Sequence, residues 1–123
     1  MSVCERVEHA MAVIWETVDR LGRQVVMTEN QWAHVVFEHD YMVHRIHEVQ
    51  YAVAFADEVA RDRSYAHRDI HYWQRRSGAL CLRVVVHYRP RDPSGWTGEV
   101  RTAHFITRKP RGEALLWPSK STS

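Results

Sequence analysis

Apolar and polar positions follow a helical period in two stretches of this chain and alternate with a period of two in several others, which predicts a mixed α+β architecture. Residues 12–19 and 23–27 read as two short strands around the turn Arg20-Leu21-Gly22-Arg23, where Gly22 supplies the positive φ of a tight hairpin. Thr28-Glu29-Asn30-Gln31 then has the form of a capping box, with Thr28 as N-cap and Gln31 reaching back. A helix over residues 29–38 follows, with Trp32, Val35 and Val36 as its apolar stripe. A second helix is predicted over 41–55, because Met42, Ile46, Val49 and Val53 recur at helical spacing.

After Asp57 the pattern changes to alternation, and strands are predicted near 59–63, 69–74, 80–88 and 99–106. In the third of these Leu82, Val84, Val86 and Tyr88 share one face and predict the side that packs on the helices. Cys81, Arg83, Val85 and His87 share the other, which is left for solvent or a ligand. In the last strand Ala103 and Phe105 are expected on the core side, and Val100, Thr102, His104 and Ile106 on the open side. The expected architecture is an N-terminal hairpin and two helices packed on a curved antiparallel sheet of about four strands. It forms one domain over 1–117, with a Ser-rich flexible tail at 118–123.

Composition adds little until it is divided along the chain. Residues 1–60 carry 4 Lys and Arg against 10 Asp and Glu, whereas residues 61–112 carry 12 against 4, eleven of the twelve being arginine. That asymmetry points to a polyanion, since the guanidinium fork grips phosphate through two bonds; mutual neutralisation of the two halves is the plainer alternative. The longest apolar stretch, residues 10–15, is too short to span a bilayer, and no export signal opens the chain, so a cytoplasmic protein is expected. Cys4 and Cys81 lie in no metal or redox motif. The histidine pairs His44/His47 and His67/His71 lack the further ligands of a zinc site, so neither metal nor cofactor is expected.

Six short motifs follow one another in a telling order. Leu21-Gly22-Arg23 leads through Thr28-Glu29 to Trp32-Ala33-His34-Val35 and His39-Asp40; Leu82-Arg83-Val84-Val85-Val86 and Val100-Arg101-Thr102-Ala103 follow. Over residues 18–107 this order resembles the phage–barnase–EndoU–colicin–RelE-like (PBECR) nuclease family. Asp40 stands where that family usually has proline, and Arg83 where it usually has lysine. The resemblance implies a barnase- or RelE-like fold and metal-independent RNA cleavage. It also implies RNA as partner and, by analogy with toxins, an antitoxin or immunity protein.

Such cleavage needs a base for the ribose 2′-OH, an acid for the departing 5′-oxygen, and cations for the phosphoryl charge. Histidine and arginine suit these roles. Arg83 is expected as phosphate clamp, Thr102 as orienting hydroxyl and His104 as proton carrier; an ordinary solvated sheet face is the competing reading. His34 is either a general base or a polar tie between helix and sheet, and His39 either joins it or serves the helix exit. Helices covering the core face would leave His34 opposite Arg83, and the two sets would then belong to different sites. Arg61, Arg63, Arg75 and Arg101, with Tyr72 among the interleaved aromatics, are the expected RNA-binding residues; edge-strand charge that blocks aggregation accounts for the same pattern. A non-catalytic RNA- or protein-binding module on the same fold is the alternative function.

Overall fold

A computed structural model describes residues 12–75, 78–91 and 95–118. Cys4, Arg76, the loop residues Asp92–Ser94 and the tail after Pro118 lie outside the described residues. Seven strands form one sheet: β1 (Val13–Val18), β2 (Gln24–Thr28), β3 (Glu58–Arg61), β4 (Arg68–Gln74), β5 (Cys81–Arg91), β6 (Gly95–Ile106) and β7 (Leu115–Trp117). Between β2 and β3 lie α1 (Glu29–Glu38), a 3-10 turn (Asp40–Met42) and α2 (Ile46–Ala54). The strand order is β1-β2-β6-β5-β4-β3-β7, antiparallel throughout except for β2 against β6. The α+β class is as expected, but the sheet has seven strands rather than about four.

Two features account for the difference. The β1–β2 hairpin, turned at Gly22 (φ 81), does not pack on the sheet but extends it, because β2 pairs with β6. At the other edge the chain after β6 crosses to β3 and adds β7. Three apolar residues give no periodicity to read, and so β7 escapes a sequence pattern.

α1 begins where Thr28 caps it, its hydroxyl accepting from the Gln31 N–H at 3.2 Å. Val35 is fully buried and Trp32 packs beside the core. The second helix is shorter than its apolar spacing implies. Bonds from Met42 N–H to His39 carbonyl and from Arg45 N–H to Met42 carbonyl wind residues 39–45 as tight turns, and regular helix starts only at Ile46. Met42, Val49 and Val53 are nevertheless fully buried, as their stripe requires.

The main core lies between the helices and one sheet face, and there Leu82, Val84, Val86 and Tyr88 meet Val25, Met27, Val35, Val49 and Val53. Gly98 is needed beneath Tyr88, since a Cβ there would lie 2.6 Å from the ring. Val100 belongs to this core, not to the opposite face. The β5–β6 ladder pairs Val85 with Thr102 but Val86 with Val100, so Arg101 is an extra residue that reverses the alternation.

The opposite face is not open along its whole length. Residues 107–114 cross it, tied by Lys109 to Glu58 (2.6 Å), by Glu113 to Tyr72 (2.5 Å) and by the Ala114 carbonyl to the Arg61 N–H (2.8 Å). They enclose a second apolar cluster of Ala60, Ile70, Tyr72, Cys81 and Val85, against which Ile106 packs. Cys81 and Val85, expected to face solvent or ligand, are therefore buried.

Candidate functional site

β2 pairs with β6 over only Gln24–Val26 against Thr97–Glu99. Beyond that the chain leaves the sheet to form α1, and α1 with its following turn takes the vacated edge of β6. The Tyr41 hydroxyl accepts the Phe105 N–H at 3.1 Å, a backbone donor that a neighbouring strand would otherwise satisfy. From this edge α1 reaches both faces. Val35 enters the main core, while His34, Glu38 and His39 stand beside the opposite face. The separation expected between His34 and the Arg83 face does not arise, because α1 flanks the sheet rather than lying on one side of it.

His39 closes α1, its N–H bonded to the Val35 carbonyl at 2.8 Å, and its ring stacks on His104 with centroids 4.8 Å apart and planes 19° apart. His104 is paired in register with Arg83 on β5, and Arg83 with Tyr72 on β4. Burial and then the neighbouring His39 and Arg83 hold the His104 imidazole below the ordinary histidine pKa. Its Nδ1 is buried and has no partner among the described residues. With the rings this close, a positive charge on His39 opposes one on His104.

Thr102 stands two residues before His104 and lines a groove of about 440 Å³ with Asn30, Gln31, His34, Glu38, Arg68 and Arg101. The bulge at Arg101 aims its guanidinium there. The Arg101 Nε is buried without a partner among the described residues, and Glu99 approaches the guanidinium only at 3.8 Å. His87, on the same face, is lowered in pKa by burial and then by Arg101, Arg89 and Arg68. The strip is therefore cationic, although His34 has Glu38 at 3.5 Å. Arrangements of this kind can hold a phosphodiester against Arg83 and Arg101 with proton donors and acceptors beside it.

The expected RNA-binding residues separate. Tyr72 is 2% exposed, so it cannot stack on a base. Burial and then its bond to Glu113 raise its pKa, against the opposing influence of Arg83, and its hydroxyl is committed to Glu113. Arg75 lies over the Phe105 ring at 5.3 Å, at the end of β4 away from Arg61 and Arg63. Arg61 and Arg63 instead line a cavity of about 620 Å³ at the opposite end.

Beside that cavity lies a buried polar network that sequence reading missed. Asp19 accepts from Arg23 Nε (2.9 Å) and from the Tyr88 hydroxyl (2.6 Å), and Arg23 also reaches Asp69 (2.7 Å). His71 Nε2 lies 2.8 Å from the same hydroxyl. Tyr88 has one proton and gives it to Asp19, so His71 donates from Nε2 and stays neutral. Burial is the main cause that depresses its pKa to about 4. His71 is thus structural, and His67, which stacks on Trp96 at 5.6 Å, does not share a ligand set with it. Asp19 and Tyr88 are 69 residues apart, and no spacing rule connects them. The local signal was Asp19 with Arg23 across the Gly22 turn.

Among the described residues no helix is long and apolar enough to cross a membrane, and no group of three His, Cys, Asp or Glu is placed to hold a metal ion. Compared with known proteins, the chain matches no family model, no curated protein and no solved structure.

Proposed function

We propose that this chain is a toxin-like, metal-independent endoribonuclease of the cytoplasm that cleaves RNA by 2′-OH attack on the adjacent phosphodiester. The observation that carries the proposal is the His39–His104 stack at 4.8 Å with Arg83 in register beside it. His104, held neutral by burial and nearby charge, takes the 2′-OH proton. His39 gives a proton to the departing 5′-oxygen, and the products are a 2′,3′-cyclic phosphate and a 5′-hydroxyl. Arg83 and Arg101 hold the phosphoryl oxygens, Thr102 orients the ribose, and His34 contacts the strand along the groove. The resemblance of residues 18–107 to PBECR nucleases supports the same reading, as does the arginine-rich second half. An antitoxin or immunity protein is the partner such an enzyme calls for.

One observation favours the rival reading, a non-catalytic RNA- or protein-binding module. Glu38 beside His34 and Glu99 beside Arg101 put carboxylates along the groove, which weakens its hold on a reacting phosphate. The deciding experiment is RNA cleavage by purified protein in EDTA, comparing wild type with Arg83→Ala. The enzyme predicts cleavage that falls steeply in the variant. The module predicts binding that weakens with salt and no cleavage by either protein.

A further inference from the structure

The cavity of about 620 Å³ beyond the Asp19–Tyr88 network takes no part in the proton chemistry, yet it has the volume of a small-molecule site. Its rim is built locally. Asp62 Oδ1 accepts the N–H groups of Ser64 (2.8 Å) and Tyr65 (3.2 Å), which folds residues 62–65 back. His67 then takes the left-handed conformation (φ 63), uncommon outside glycine though less so for histidine than for most residues, and its carbonyl accepts the Tyr88 N–H at 2.7 Å. This turn brings Tyr65 and the stacked His67–Trp96 pair to the mouth, where Tyr65 is 57% and Trp96 44% exposed.

The charges in the cavity are unequal in their engagement. Asp69 is held by Arg23 at 2.7 Å and Asp62 by its own turn, so neither carboxylate is left for a cation. The cations are less committed. Arg61 meets Asp69 only at 3.5 Å with its side chain 61% exposed, and Arg63 bonds the Arg111 carbonyl at 3.2 Å. Arg23 keeps a buried terminal nitrogen with no partner among the described residues. Exposed aromatic faces beside underused guanidinium forks are what a base with its phosphate requires.

We propose that this cavity binds a nucleotide unit, the base stacking on Trp96 or Tyr65 and the phosphate held by Arg61 and Arg63. Arg68 extends the site: it lies over the Tyr65 ring at 4.3 Å and also lines the groove with Arg101 and Thr102. A single RNA strand passing His104 can therefore follow cations round the end of β4 into the cavity. The inference deepens the RNA reading and rests on it for the polymer, while the same chemistry accepts a free nucleotide.

Calorimetric titration with AMP and anisotropy of a short labelled single-stranded RNA separate these sources. Wild type, Trp96→Ala and the double variant Arg61→Ala/Arg63→Ala are compared, each checked for an unchanged melting profile. If the cavity takes a nucleotide of the RNA, both variants bind the RNA about tenfold or more weakly. If it takes the free nucleotide, the same loss is seen with AMP. Unchanged affinity of both variants for both ligands overturns the proposal, as does failure of wild type to bind either. RNA cleavage is scored in parallel: a wild type that binds but does not cut removes the ribonuclease reading and leaves the cavity standing. Cutting with unaltered affinities does the reverse.

Discussion

His71 and His104 both stand on strands of one sheet, and both are held below the ordinary histidine pKa chiefly by burial, yet their surroundings differ. His71 has no exposed surface and spends its Nε2 proton on Tyr88, whose own proton goes to an Asp19 already bonded to Arg23. Both rings keep a buried Nδ1 with no partner among the described residues, but His104 is only half-buried and stacks on a second imidazole at the groove. A ring with no exposed surface, bonded into a buried ion-pair network, stabilises the fold; one that keeps exposed surface beside a groove is available to a ligand. The comparison teaches that a depressed histidine pKa marks a functional site only where protons can still reach the ring.

The largest effect expected from breaking the comparison is on the open side. His104→Ala, and separately His39→Ala, lower RNA cleavage by about 10²–10⁴-fold with little change in melting temperature, measured by cleavage rates in EDTA alongside thermal unfolding. The closed side responds in stability instead. Arg23→Ala leaves buried Asp19 without its cation and buried Asp69 with only the more distant Arg61, and costs about 3–5 kcal/mol, read from urea unfolding.

How much of this was legible in the sequence depends on how far the determining contact lies along the chain. Thr28 announced the start of α1, and the alternation of Leu82, Val84, Val86 and Tyr88 gave the core face of β5, because capping and pleat are local properties. Arg83, Thr102 and His104 were legible as one face for the same reason. The bulge at Arg101 was not, since it is a property of the β5–β6 pairing; it alone moved Val100 from the open face to the core. The position of α1 along the edge of β6 was equally hidden. It follows from the early end of the parallel β2–β6 pairing, and it brings His39 to His104. Tyr72 was misread because residues 107–114, which bury it, carry no periodic signal.

Acid titration separates the two histidines by what responds, stability for His71 and cleavage for His104. The folded-state pKa of His71, about 4, lies below the value near 6.5 of an exposed histidine, so the unfolded chain takes up the proton first. Stability from this group is full above about pH 6.5 and declines as pH falls toward about 4, by about 3 kcal/mol in total. His71→Gln cannot titrate and flattens that part of the urea-midpoint profile. Cleavage depends on neutral His104, so its acidic limb lies below the ordinary histidine range, and His39→Ala moves that limb upward by removing the neighbouring charge in whatever activity remains.

The smallest effect tests the packing that holds the closed network. Gly98→Ala places a methyl 2.6 Å from the Tyr88 ring and from Val86, and it is expected to destabilise by about 1–3 kcal/mol, measured by urea unfolding.

The chemistry assigned to the His39–His104 pair is tested most directly by the ends of the RNA it makes. Wild-type protein in EDTA, given RNA and DNA of one sequence, is expected to cut only the RNA and to leave 2′,3′-cyclic phosphate termini by mass spectrometry, with His104→Ala inert. Equal cutting of the DNA, linear 3′-phosphates from the first turnover, or undiminished cleavage by His104→Ala would contradict it.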